Sequence, residues 1–203
     1  MRQHPEDMDV DPVVDKSLLG TKIDTPRLHL KLRFIRNEDA ARILPTFTEE
    51  VADRWVDGKR PQTISEIEAS IAETRDRVER RGKTLFDLVA LHPMTNKLIG
   101  RCGIFPTKRA NEYKITLWVA PELRNKKYGI EMLHAVVRLA KEQKARGAPI
   151  ERLIFPVVEG NKASEALVKK LGIELNQGSV MRTETEMEGE ERKTVTHYLV
   201  PLE

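Results

Sequence analysis

A cluster of cations lies between two apolar stretches of the chain, in the segment "WVAPELRNKKYGIEML" at 118–133. Arg124, Lys126 and Lys127 precede Gly129, after which apolar residues recur at helical spacing. The first turn of a helix exposes N–H groups without internal partners, at the positive end of the helix dipole. Such a turn can bind a phosphate or diphosphate, and Gly129 would let the backbone approach it closely. The alternative is a solvated loop that happens to be basic.

Other side chains with chemical potential are scattered. His134 lies in the helix that follows and His197 in the last predicted strand, and we interpret both as packing or surface residues rather than bases. The five histidines and the single Cys102 show no ligand spacing, so no metal site is predicted.

Composition limits the class of protein. The chain has 203 residues, 39% of them hydrophobic, which is enough for the core of one domain. Charged residues make up 33% but the net charge is only +3, so direct nucleic-acid binding is not expected. There is no signal peptide and no apolar run of about 18 residues, so we expect a cytoplasmic protein without membrane association. We expect it to be a monomer or a homodimer.

The first 24 residues are acidic, punctuated by proline and without apolar periodicity. We therefore predict a loosely ordered arm over 1–24 and a single domain over 25–203.

The first half of that domain shows strand and helix patterns. Apolar residues alternate through 27–36, which predicts a strand. A helix is predicted to start near Asn37, as its capping residue, and to be interrupted at Pro45. A second, amphipathic helix follows, with a capping box formed by Thr63 and Glu66.

Strands and helices alternate in the second half. "TLFDLVALH" and "KLIGRCGIF" read as a hairpin across "PMTN", and "EYKITLWVA" as a third strand. A long helix from Gly129 has an apolar stripe wide enough to be covered on more than one side. A strand at "RLIFPVV", a short helix capped by Asn161 and ended at Gly172, and two final strands complete the chain. The order predicts an α/β (α+β) fold, a mixed sheet of about seven strands with about four helices on both faces.

This order of motifs resembles the GNAT superfamily of N-acetyltransferases. Arg124 to Gly129 matches the family's signature turn, and "NKASEALVKKLGIE" is similar to its later Asn-containing helix, with Ile173 in place of a Phe. "TPRLHLKL", "NKLIGRCGIF" and "LWVAPELRNKKYG" look like the branch that includes ribosomal-protein N-terminal acetyltransferases. The resemblance covers about residues 25 to 202.

The resemblance implies a mostly antiparallel sheet that splays open between two central parallel strands, with acetyl-CoA as cosubstrate. The pantetheine arm would run along the strand end, and the diphosphate would sit on the amides of the turn. The implied cofactor-binding residues are Leu117, Trp118, Val119, Arg124, Asn125, Lys126, Lys127, Tyr128, Gly129, Ile130 and Asn161.

The chemistry implied is direct transfer of an acetyl group from the thioester to a primary amine. We expect this amine acceptor to be a peptide or protein N-terminus, with a small amine as the alternative. Ser164 and Glu184 are the implied catalytic residues. From the residues alone, Ser164 is equally a helix-capping residue, and Glu184 competes for its register with Glu186 and Glu188 in a solvated acidic strand.

The chain departs from the family pattern at several positions. Lys127 replaces the first motif glycine, Asn125 stands where many relatives have another glycine, and Lys114 stands where many carry Glu. Val168 lies near the position where many relatives carry a Tyr that donates a proton to the departing thiolate. A charged lysine cannot accept the amine proton. These departures keep open an alternative, a non-catalytic GNAT-like module that binds CoA or a protein partner.

Overall fold

The alternating apolar segments form one central sheet. The computed structural model describes residues 23–24, 30–53, 61–81, 86–174, 179–188, 191–200 and 202. Within these residues eight strands are hydrogen-bonded in the order β1-β2-β3-β4-β5-β6-β8-β7, and every neighbouring pair is antiparallel except β5 with β6. The strands are β1 (Ile23–Asp24), β2 (Lys31–Phe34), β3 (Phe86–Leu91), β4 (Leu98–Pro106), β5 (Glu112–Val119), β6 (Arg152–Val158), β7 (Ser179–Glu188) and β8 (Glu191–Val200).

Five α-helices accompany the sheet in the described part of the chain. Two short 3-10 turns, Asn37–Asp39 and Pro121–Leu123, lead into the first and fourth of them. The helices are α1 (Ala40–Ile43), α2 (Glu49–Asp53), α3 (Ile64–Arg81), α4 (Tyr128–Ala145) and α5 (Lys162–Glu174).

The mixed sheet with helices on both faces is confirmed. One core joins α4 and α5 to β2–β6, and it buries Met132, Leu133 and Val136 of the wide stripe on α4. A second core on the opposite face joins α1, α2 and α3 to Val89 and Trp118. Because both faces are covered, the central strands are buried almost throughout.

The first half of the domain follows its sequence signals with local differences. The interruption at Pro45 is confirmed, since α1 ends at Ile43 and α2 begins at Glu49. Asn37 does not cap the helix as predicted. The Asp39 carboxylate accepts the Arg36 N–H at 2.9 Å instead, because it is buried and held by the guanidinium of Arg33 in two bonds of 2.7 Å.

The cap of α3 also differs in one bond. Glu66 donates its backbone N–H to Thr63 Oγ1, as the capping box requires, but its carboxylate accepts from the backbone N–H of Gln62 rather than of Thr63.

Two other element boundaries differ from those predicted from the sequence. Ile23 and Asp24, the last residues of the predicted arm, pair with Leu32 and Lys31 of β2. The rest of that arm, 1–22, lies outside the described residues. Helix α5 continues past Gly172 to Glu174. No helix among the described residues has the length and apolar character needed to cross a membrane.

The two central parallel strands pair only at their beginnings. Glu112, Tyr113 and Lys114 of β5 are partnered by Arg152, Leu153 and Ile154 of β6, and no pairs follow. Pro156, two residues beyond Ile154, has no N–H with which to extend the ladder. The sheet therefore opens between β5 and β6 as predicted.

Candidate active site

A cavity of about 390 Å³ occupies the opening between the two parallel strands. It passes from the α4 and α5 side of the sheet to Val51 of α2 on the other side. The residues that line it are Val51, Ile115, Thr116, Leu117, Trp118, Val119, Leu123, Arg124, Asn125, Lys127, Tyr128, Gly129, Ile130, Phe155, Pro156, Asn161, Ala163, Ser164, Ala166, Leu167 and Lys170.

The structure brings most of the sequence-predicted site residues into this one cavity. Of the eleven residues assigned to the cofactor, Lys126 is the exception: it is exposed and absent from the lining. Ser164 lines the cavity, whereas Glu184 does not.

The turn before α4 presents a row of free amides. Lys127 is the N-cap residue of α4, and its side chain does not cap the helix. Within the described residues, none of the N–H groups from Asn125 to Ile130 has a hydrogen-bond acceptor. Unsatisfied donors at the positive end of an 18-residue helix form an anion-binding site, here at the mouth of the cavity.

Two non-glycine residues give this turn its shape. Asn125 has φ of 62° and Lys127 has φ of 67°, both in the left-handed region. Asparagine tolerates this region, whereas lysine adopts it at a cost of about 1–2 kcal/mol. The backbone at Lys127 therefore keeps the conformation that a glycine would favour.

Gly129 allows close packing between elements. A Cβ at this position would lie 3.3 Å from Leu167 Cδ1 of α5 and 3.7 Å from Val119 Cγ2 of β5. Its φ is not in the left-handed region. The missing side chain thus lets α4 approach α5 and β5, which is a different use of the glycine from the approach to phosphate expected from sequence.

Charges around the cavity are one-sided. Arg124, Lys127 and Lys170 line it, and no Asp or Glu does so among the described residues. Arg124 is partly neutralised, because its Nη1 donates to Glu50 Oε1 of α2 at 2.6 Å. The pKa of the Glu122 carboxyl is lowered, chiefly by a hydrogen bond from its own backbone N–H. The positive charge of Lys126, which lies nearby, adds to this lowering.

Helix α5 begins at the cavity with a side-chain cap. Asn161 Oδ1 accepts the backbone N–H of Ser164 at 3.2 Å, so the predicted capping role of Asn161 is confirmed. In the described part of the chain, neither the Nδ2 group of Asn161 nor the hydroxyl of Ser164 has a hydrogen-bond partner. Both polar groups remain available to a ligand.

The strand wall of the cavity carries one large aromatic residue. Trp118 is buried and packs edge to face on Phe47, with ring centroids 5.6 Å apart. Its strand neighbour Arg101 forms a bidentate pair with buried Asp87, with Nε 2.8 Å from Oδ1. Burial lowers the pKa of Arg101, but the charge and hydrogen bonds of Asp87 outweigh this and raise it overall.

The second implied catalytic residue, Glu184, is held outside the cavity lining. Its carboxylate pairs with Arg109 at 2.5 Å and lies 3.9 Å from Nε2 of buried His197. The side chain of Glu186 lies outside the described part of the structure. Lys114 sits at the closed end of the opening, at the last β5–β6 pair. His134 is half-buried on α4 and does not line the cavity.

Some residues of the cavity carried no sequence signal of their own. The cavity-facing residues of α5 recur at helical spacing after Asn161, so the position of Lys170 follows once the direction of that face is known. When the orientation of α5 is unknown, the sequence of Lys169 and Lys170 indicates only a solvent-exposed surface. Among the described residues, no group of three or more His, Cys, Asp or Glu is placed to hold a metal ion.

The site thus combines an open parallel strand pair, a turn of free amides on one side and a capped helix on the other. Residues 29–174 match the acetyltransferase (GNAT) domain family, and this chain belongs to that family. The family predicted from the sequence is thus confirmed. No curated protein matches the chain significantly.

Solved structures with the same fold include three acetyltransferases. A ribosomal L7/L12 alpha-N-protein acetyltransferase, RimL, in complex with coenzyme A is 14% identical, with a TM-score of 0.70 and coverage of 89% of this chain and 97% of that one. A spermidine N-acetyltransferase from Vibrio cholerae with CoA and spermine is 12% identical, with a TM-score of 0.66 and coverage of 85% and 95%. A ribosomal-protein-S5-alanine acetyltransferase from Vibrio fischeri is 17% identical, with a TM-score of 0.64 and coverage of 85% and 93%. At these identities the likeness concerns the fold.

Proposed function

We propose that this protein is an acetyl-CoA-dependent N-acetyltransferase that transfers the acetyl group directly to a primary amine. The observation that carries the proposal is the row of free amides from Asn125 to Ile130 at a cation-lined opening of the sheet. A diphosphate supplies the acceptor oxygens and negative charge that this turn lacks.

The shape of the cavity supports one orientation of the cosubstrate. The diphosphate would accept hydrogen bonds from the turn, with Arg124 and Lys127 adding charge. The pantetheine arm would follow the unpaired edge of β5 at 117–119, where Asn161 Nδ2 can donate to a carbonyl of the arm. The thioester would then reach the opening near Ser164. On the α4 side, Tyr128, Gly129 and Ile130 would contact CoA at the start of the helix.

Direct transfer requires two proton movements. The nitrogen lone pair of a neutral amine attacks the thioester carbonyl, the C–S bond breaks, and the thiolate takes a proton. The Ser164 hydroxyl, which lines the cavity, would donate that proton. Glu184 is paired with Arg109 and lies outside the cavity lining, so the amine proton would pass to it only through water or after a movement of β7.

We further propose that the acceptor is a peptide or protein N-terminus. Two of the structural relatives named above are ribosomal-protein acetyltransferases, and one acts on spermidine. Val51 and Trp118 would wall the acceptor end of the cavity, and the described lining lacks the carboxylates that would attract a polyamine. An uncharged, partly apolar wall suits an extended peptide.

A non-catalytic CoA-binding module is the second candidate. The observations that favour it are Lys114 at the closed end of the opening and the engagement of Glu184 by Arg109. Both leave the cavity without a carboxylate among its described lining residues.

The two candidates separate in two measurements. Thermal stabilisation by CoA and acetyl-CoA tests binding, and thiol release against a panel of peptides, spermidine and small amines tests transfer. Cys102 will not interfere with a thiol reagent, because burial keeps the pKa of its thiol far above the usual range. Turnover with peptides, with the acetyl group located on the N-terminus by mass spectrometry, is the expected result.

The contrary outcomes are equally distinct. Stabilisation without turnover on any acceptor would favour the binding module. Stabilisation by neither compound would remove CoA from both candidates.

A further inference from the structure

Helix α5 and its cap line the cavity over more than two turns, and the order of these residues along the helix axis can be compared with the order of chemical groups in CoA. Asn161 and Ser164 lie at the start of the helix, beside the opening where the thioester would sit. One turn on, Leu167 packs against Gly129 of the diphosphate turn. Lys170 follows another turn further, still on the cavity lining.

Counted from the sulfur of a bound CoA, Lys170 would therefore lie beyond the turn before α4. Residues three apart on a helix are about 5–6 Å apart at Cβ, and the lysine side chain adds its own length. In CoA, the group beyond the diphosphate is a ribose that carries a 3′-phosphate. The order along α5 matches the order along the cosubstrate.

The charge of Lys170 is not compensated by the protein. Arg124 has Glu50 as a partner, and the exposed Lys97 pairs with Glu122 at 3.2 Å. Within the described residues, Lys127 and Lys170 have no ion-pair partner. Two cations that share a cavity without an acidic partner favour a bound anion.

We propose that Lys170 binds the 3′-phosphate of CoA and makes the site prefer CoA over dephospho-CoA. The proposal rests on the proposed function and deepens it. Lys127, at the N-cap of α4, serves the diphosphate, whereas Lys170 serves a phosphomonoester that carries close to two negative charges at neutral pH. This contact would select the cosubstrate without taking part in the transfer.

The test compares two ligands that differ only in the 3′-phosphate. Affinities for CoA and dephospho-CoA are measured by calorimetry for the wild-type protein, Lys170→Ala, Lys170→Arg and Lys169→Ala. Lys169 is the matched control, because it is an exposed lysine on the same helix but does not line the cavity. Since Lys170 is exposed, its replacement should not disturb folding, which circular dichroism verifies.

The wild type should bind CoA about fivefold more tightly than dephospho-CoA at low salt, the scale of one solvent-accessible charge-assisted contact. Lys170→Ala should abolish the preference by weakening CoA alone. Lys170→Arg and Lys169→Ala should both retain it.

Three results would overturn the proposal. Equal affinity of the wild type for the two ligands would remove the 3′-phosphate contact. An equal loss for both ligands in Lys170→Ala would place Lys170 on the diphosphate instead. A similar loss in Lys169→Ala would reduce the effect to general surface charge. In each case the proposed function stands, whereas binding of neither ligand by the wild type would contradict the proposed function itself.

Discussion

Arg124 and Glu50 join the turn before α4 to helix α2 across the mouth of the cavity. Nη1 of Arg124 donates to Oε1 of Glu50 at 2.6 Å, although the two residues are 74 positions apart in the chain. The next residue of α2, Val51, lines the cavity. One ion pair thus links the turn proposed to bind the diphosphate to the helix that carries Val51 of the cavity wall.

Replacing Glu50 with Gln should tighten CoA binding about two- to fivefold at low salt. In the proposed complex the Glu50 carboxylate would compete with the diphosphate for Arg124, and its negative charge would oppose an anion near the turn. Exposed ion pairs contribute on this scale. Calorimetry with CoA measures the change. Glu49→Gln removes the same charge one residue earlier on α2 and should have little effect. Weaker binding in Glu50→Gln would show that the pair positions Arg124 rather than competing for it.

Arg124 and Lys126 should differ in their contribution to affinity. Arg124→Ala should weaken CoA binding about five- to tenfold at low salt and less at high salt, because Arg124 lines the cavity and carries a positive charge. Lys126→Ala should change affinity less than about twofold, because that side chain lies outside the lining, near Glu122. Equal effects of the two substitutions would mean that only the overall charge of the turn matters.

Lys127→Gly should stabilise the protein while weakening CoA binding. Glycine relieves the left-handed φ of 67° but adds flexibility to the unfolded chain, which leaves a net gain of about 0.5–1 kcal/mol. Urea unfolding without ligand measures the gain. Lys126→Gly, at an exposed neighbour outside the left-handed region, should instead lower stability. A loss of stability in Lys127→Gly would contradict the strain assigned to that residue.

Gly129→Val should destabilise the protein by about 1–3 kcal/mol and weaken CoA binding. The added atoms would press on Leu167 and separate α4 from α5. Leu167→Ala opens that space, so the double variant should recover part of the loss. A double-mutant cycle by chemical unfolding gives the coupling. Additive effects in the cycle would show that the cost of Gly129→Val does not come from contact with Leu167.

Strong periodic signals were predictable from the sequence. The amphipathic helix α3, the interruption at Pro45 and the hairpin of β3 and β4 follow from local patterns that tertiary contacts only reinforce. The wide stripe on α4 predicted burial on several sides, and its residues fill the core. Family resemblance then predicted the opening of the sheet, which no local pattern shows.

Contacts between distant residues were not predictable in the same way. The cap at Asp39 depends on Arg33, and the charge of Arg124 depends on Glu50, so the sequence around each residue gives no sign of its partner. The packing role of Gly129 depends on Leu167, which belongs to a later helix. Lys170 could be assigned to the cavity only when the orientation of α5 was known.

The turn before α4 has a consequence for how such sites are found. Asn125 and Lys127 adopt the torsion angles expected of glycine, so the loop is defined by its dihedral geometry rather than by the letters of a glycine-rich signature. A pattern search that demands glycine at these positions would pass over this chain. Screening by backbone torsion would retain it, and would recover other loops in which asparagine or lysine accepts the same strain.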